Sequence, residues 1–207
     1  MSAAGLRQEH RFVPGVADES RTLLLLHGTG GNEDDLIPLG HALLPGAALL
    51  SPRGQVLERG MPRFFRRLSE GVFDEPDLRA RTAELAEFVE WAAASYKLDA
   101  GGIVAVGFSN GANIAASLLL RRGAVVHGAV LLSPMLPFEP ETLPDLSATS
   151  VFIGAGERDP MASRETVEQL ARALTAAGAK VTTHWTPVGH TVTKEELDAA
   201  REWIEKV

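Results

Sequence analysis

Gly107-Phe108-Ser109-Asn110-Gly111 is the stretch whose reading decides the fold. Ile103–Val106 before it is a continuous apolar run that suits a buried strand, and a helical pattern begins at Ala112. A strand, a sharp turn bearing serine between glycines and then a helix is the context of a nucleophile elbow. The turn leaves no room for bulk at its flanks, which Gly107 and Gly111 provide, and the helix N-terminus behind the serine favours developing negative charge. The competing reading is an ordinary strand-to-helix turn with Ser109 as a simple N-cap.

Working outward, short apolar runs recur at Thr22–Leu26, Ala47–Leu50, Ile103–Phe108, Gly128–Leu132, Ser150–Gly154 and Val181–Trp185. Most are nearly continuous in apolar residues, as parallel strands covered on both faces require. The last is more polar and is expected nearer an edge. Helical periodicity covers about Asp77–Tyr96 and the stripe Val167, Leu170, Ala171, Leu174, Ala177, which Gly178 stops. It returns in Leu197, Ala200, Ile204 and Val207, where Thr193 and Glu196 have capping-box spacing. Ile114–Leu120 is apolar all round and is expected in a central, covered position. This alternation predicts an α/β chain with a mostly parallel central sheet flanked by helices. Ser51–Pro76 and Pro134–Pro144 are rich in glycine or proline and leave strands at the carboxyl edge, where open α/β sheets bind ligands.

A serine hydroxyl needs a base, and the base needs an orienting acid. In this arrangement the acid and then the histidine follow the serine, each after a strand. Asp159 follows Ser150–Gly154, and His190 follows Val181–Trp185. Glu157 is the rival acid. Asp159 could instead cap a helix ahead of Pro160, but Ser163 offers a start one turn later. His10, His41, His127 and His184 lie at an N-terminal stretch, helix or strand positions. His27 opens another motif, His27-Gly28-Thr29-Gly30-Gly31-Asn32, directly after Thr22–Leu26. Its glycines permit backbone N–H groups to point into a site. The expected oxyanion donors are the N–H groups of Asn110 and Thr29, with Gly30 as the fallback. A phosphate loop is the other reading, but there is no Walker lysine and no dinucleotide spacing.

These motifs resemble the small serine carboxylesterase/phospholipase family of α/β-hydrolases, related to acyl-protein thioesterases, and above all its compact bacterial MhqD-type and YahD-type members. Ser51-Pro52-Arg53-Gly54, Gly60–Arg67 and Glu70–Asp74 carry the likeness as well, which runs from about Leu24 to Ile204. The resemblance implies one α/β-hydrolase domain over residues 1–207, with no large cap, no cofactor and no metal. It implies a Ser109–Asp159–His190 triad, oxyanion donors at Thr29 and Asn110, and hydrolysis of short- to medium-chain carboxylic esters through an acyl-enzyme. The thioesterase relatives carry leucine where Thr29 stands and glutamine where Asn110 stands. A thioesterase or lysophospholipase would use the same machinery with a different pocket. A catalytically idle ligand-binding protein would normally have lost a triad member, and a peptidase would need more cap structure.

Between Arg53 and Arg67 five arginines face Glu58 alone, a local charge of +4 in a chain of −7. Either some of them face the site and favour anionic substrates, or they pair with Glu70, Asp74 and Glu75 and pin the loop. Arg63, Phe64, Met135 and Leu136 are the expected substrate-binding residues.

Composition narrows the rest. With 207 residues, 45% hydrophobic and 23% charged, the chain can bury a core without staples. An acidic balance of 27 against 20 argues against nucleic acid as a partner. Zero cysteines exclude disulfide, thiolate-metal and cysteine-nucleophile chemistry and fit a reducing cytoplasm. No run reaches the ~18 apolar residues of a membrane helix. Met1–Phe12 lacks the apolar core of a secretory signal. The expectation is a cytoplasmic enzyme of small-molecule esters, with exposed helix faces compatible with a homodimer.

Overall fold

The computed structural model describes residues 8–123 and 125–207. The reading of Met1–Arg7 as part of a non-secretory N-terminus lies outside the described residues. In chain order the strands and helices are β1 (His10–Val13), β2 (Thr22–Leu26), α1 (Ile37–Leu43), β3 (Ala48–Pro52), β4 (Val56–Glu58), β5 (Met61–Arg63), β6 (Arg67–Ser69), β7 (Val72–Phe73), α2 (Glu75–Tyr96), β8 (Ile103–Phe108), α3 (Asn110–Arg122), β9 (Gly128–Leu132), β10 (Ser150–Gly156), α4 (Arg164–Ala176), β11 (Lys180–Thr186) and α5 (Lys194–Ile204).

Seven strands form the central sheet in the order β1-β3-β2-β8-β9-β10-β11. All neighbours are parallel except β1, which runs antiparallel along β3. The continuous apolar runs are explained by two separate cores. Leu24, Leu26, Ile103, Ala105, Leu131, Val151 and Ile153 face α2, α3 and α4. Their alternate neighbours Leu23, Leu25, Val104, Val106, Val130 and Phe152 face α1 and α5. A strand buried on both faces has no polar side to alternate with. The helix α3 is buried from Asn110 to Leu120, and β11 is an outer strand, both as expected. Its following helix α5 opens with the reciprocal Thr193–Glu196 capping box.

Three features depart from the sequence expectation. The strand β1 adds an edge that its half-exposed residues did not announce. Phe12 stacks on Tyr96 at 4.0 Å, and His10 Nε2 lies 2.7 Å from the Tyr96 hydroxyl. The helix α1 is only seven residues long and has no side-chain cap; its Gly40 is pressed against Leu25 and Leu49. The loop-rich Ser51–Pro76 holds two antiparallel hairpins, β4–β5 and β6–β7. Helix α2 begins inside that stretch, capped by Asp74, because Pro76 falls in the first turn, where no N–H donor is needed. Among the described residues no helix is long and apolar enough to cross a membrane.

Candidate active site

The serine turn is built by close backbone approach. A side chain at Gly111 would put its first carbon 1.9 Å from the Leu26 carbonyl oxygen, and one at Gly107 would meet Gly111 and Ala112 at 2.6 Å. Only glycine lets β2, β8 and α3 meet this tightly. Ser109 itself takes φ 53 and ψ −114, a conformation that costs of order 1–3 kcal/mol in a residue with a side chain. Its N–H donates to the Leu132 carbonyl at 2.9 Å, which fixes the turn to the end of β9. Ser109 stands at the N-cap position of α3, but its hydroxyl makes no capping bond. The hydroxyl is free for another partner.

That partner is His190. Its Nε2 lies 2.9 Å from Ser109 Oγ, and its Nδ1 lies 2.7 Å from Asp159 Oδ2. His190 sits in the loop after β11, with its ring against Phe108. Asp159 sits after β10, ahead of α4, which Ser163 caps. Its other oxygen accepts the N–H groups of Met161 and Ala162 at 2.8 and 3.0 Å. Burial alone would raise its pKa; the Ala162 N–H, the His190 ring and the Met161 N–H outweigh it and hold the carboxyl below the ordinary range. The rival Glu157 points elsewhere, to Arg164.

The glycine loop after β2 is held from two sides. His27 is buried, and Gly54 N–H donates to its Nε2 at 2.9 Å. The ring proton is therefore on Nδ1, which donates to the Gly28 carbonyl at 2.7 Å. Burial pushes the His27 pKa down, which suits this neutral tautomer. From the other side β5 clamps the loop: Gly30 N–H donates to the Pro62 carbonyl, and Arg63 Nη1 donates to Thr29 Oγ1, both at 2.8 Å.

A narrow cleft opens beside Ser109 and His190, lined among others by Thr29, Arg63, Arg67, Phe73, Asn113 and Met135. Its free volume is about 30 Å³, room for about two waters. Of the residues expected to bind substrate, Arg63 and Met135 line this cleft together with Thr29 and Asn110. Phe64 and Leu136, also expected in the pocket, do not line it. Phe64 is buried against His27, and its N–H donates to Asn110 Oδ1 at 2.7 Å, so it holds Asn110 from behind. Leu136 faces an outer groove with Gln169 and Arg172. Met135 is kept at the cleft by its N–H, which donates to Asn113 Oδ1 at 2.7 Å. Asn113 was not foreseen, although it stands one helical turn beyond Ser109. Asn110 is 2% exposed, and its side-chain Nδ2 has no partner among the described residues. The amide cannot be turned round, because Phe64 N–H needs the oxygen.

The arginine-rich stretch divides. Arg66 pairs with Asp74 and Asp77, and Arg53 with Glu33 and Glu9, so these two pin loops. Arg63 and Arg67 face the cleft. Glu75, considered as a partner, pairs with Arg79 instead.

A mostly parallel sheet between helix layers, with a serine turn after a central strand and no large cap, defines the α/β-hydrolase fold. Residues 8–207 match the phospholipase/carboxylesterase family. MhqD of Bacillus subtilis is 50% identical over 198 residues, 96% of this chain and 98% of that protein. The crystal structure of a Bacillus cereus carboxylesterase superposes with a TM-score of 0.94 at 52% identity, covering 96% and 94% of the two chains. A structure of YahD with malic acid gives 0.91 at 28% identity, covering 97% and 99%. The chain therefore belongs to the phospholipase/carboxylesterase family and is an enzyme of the carboxylic-ester hydrolase class.

Proposed function

We propose that the enzyme is a serine carboxylesterase that hydrolyses short- to medium-chain esters through an acyl-enzyme. The observation that carries this reading is the hydrogen-bonded row from Ser109 Oγ through the His190 ring to Asp159, at 2.9 and 2.7 Å. Ser109 attacks the ester carbonyl while His190 Nε2 takes its proton. His190 then returns the proton to the leaving alcohol, and the acyl-serine is released by water in a second, mirrored step. Asp159 keeps the ring proton on Nδ1 and stabilises the imidazolium.

The oxyanion is received by the N–H groups of Thr29 and Asn110. Asn110 opens α3, where the first N–H groups have no intrahelical acceptor. Gly30 N–H is already engaged with Pro62, which supports Thr29 over Gly30. The small free volume supports a short acyl group.

The test is hydrolysis of p-nitrophenyl esters from acetate to decanoate by wild type and Ser109→Ala. The expected result is turnover greatest for the short chains and about 10⁴–10⁶-fold lower in the variant. Turnover that survives in a folded Ser109→Ala protein would overturn the reading.

A further inference from the structure

The wall of the cleft that belongs to β5 and β6 carries more positive charge than the protein balances. Arg63 ends β5 and is 3% exposed. Besides its bond to Thr29, its Nε donates to the Phe65 carbonyl at 3.2 Å. Arg67 opens β6, and its Nε lies 3.0 and 3.1 Å from the two carboxylate oxygens of Glu58. The same carboxylate lies 3.2 Å from Arg63 Nη1. One carboxylate therefore serves two guanidinium groups, and exposed Arg59 acts on it as well. No acidic side chain is among the described residues that line the cleft.

The imbalance is local. Arg53 and Arg66, in the same stretch, have two carboxylate neighbours each. Arg63 has burial against it first and the like charge of Arg67 second, so its guanidinium holds its proton less firmly than usual. A buried cation that shares its counter-ion is stabilised by any anion that can reach it, and guanidinium geometry matches a carboxylate.

We infer that Arg63 and Arg67 form a recognition site for a carboxylate carried by the ester. The preferred substrates are then acidic esters, such as half-esters of short dicarboxylic acids, over neutral esters of equal length. The inference rests on the serine esterase reading above, and the experiment separates the two.

Proton release is followed for monoethyl succinate against ethyl butyrate, and for 3-acetoxypropanoate against propyl acetate. These pairs place the carboxylate on the acyl or the alcohol side. At least one acidic ester should exceed its neutral counterpart by about tenfold or more in kcat/KM, as charge-assisted hydrogen bonds allow. Arg67→Gln should reduce that ratio about tenfold or more, whatever happens to the absolute rates. Glu58→Gln, which removes the competing carboxylate, should raise it, and serves if Arg67→Gln does not fold. Calorimetric binding of monoethyl succinate and 3-acetoxypropanoate to Ser109→Ala, with and without Arg67→Gln, tests recognition without turnover. Turnover with no acidic preference, or a preference that neither variant moves, overturns the carboxylate site and leaves the esterase standing. Arg67-dependent binding with no turnover of any ester overturns the esterase and supports the site. Neither binding nor preference overturns the site.

Discussion

The floor of the cleft and the hairpin wall beside it are held by different forces. On the floor, Ser109, Asp159 and His190 leave the ends of β8, β10 and β11, and backbone meets backbone at Gly107 and Gly111. In the wall, β4–β5 and β6–β7 are short, and Leu57 and Leu68 are 69% and 73% exposed. They are joined by their own ladders, by the Gly30–Pro62 backbone bond and by ion pairs such as Arg67–Glu58 and Arg66–Asp74. On the proposed mechanism the reaction is thus tied to backbone contacts that tolerate no added atom. The selectivity inferred above would rest instead on wall side chains, Arg63 and Arg67.

The largest expected effect is chemical and falls on the floor. Asp159→Asn would offer an amide N–H toward His190 Nδ1 and drive the ring proton to Nε2, where it can no longer accept from Ser109. A kcat loss of about 10⁴-fold with a native circular dichroism spectrum is expected. A loss under tenfold would show that Asp159 does not orient the base.

Next comes packing. Gly111→Ala is expected to destabilise by about 3–5 kcal/mol, since its new carbon would overlap the Leu26 carbonyl. Guanidinium unfolding reads this directly, and an unchanged midpoint would break the contrast between floor and wall.

A smaller effect should depend on pH. Glu196 is buried beside Gly154, and burial raises its pKa to about 7 although Thr193 N–H opposes the shift. The folded state therefore keeps a proton that the unfolded chain loses near 4.5. The stability this contributes is complete below about 4.5 and is lost as the pH rises through about 7. Glu196→Gln should match wild type in thermal stability near pH 4 and exceed it by about 1–2 kcal/mol at pH 8. Equal stabilities at pH 8 would mean that Glu196 ionises without cost.

The smallest effect belongs to the wall. Leu68→Ser should change stability by no more than about 0.5 kcal/mol. A larger loss in a thermal melt would show that the hairpins are packed more like the floor.

The same contrast explains what was legible in the sequence. The strands β8 and β9 have the bounds that their apolar runs predict, because both faces are covered and the pattern is unbroken. The row Ser109–His190–Asp159 was legible because its members lie just past the ends of three sheet strands, at Phe108, Thr186 and Gly156. The strand β1 was not, since it is an edge whose pairing with β3 comes from distant chain. The helix α1 is too short to show a period, and its proline and glycine read as loop. Phe64 and Leu136 were expected at the cleft by chain position alone. What decided their places was the Asn110 side chain under Phe64 and the outer groove beside Leu136. Arg67 could be separated from Arg66 only once β6 set which side each faces.

The placement of His190 has a consequence for how the enzyme comes alive. Its loop follows β11, one of the two edge strands of the sheet and the last strand among the described residues. The serine turn, by contrast, needs only β2, β8, β9 and α3. During refolding or synthesis the turn can be complete while His190 is still undocked from Ser109. Recovery of turnover should lag the return of sheet signal, and its rate is a clock for docking of the C-terminal edge.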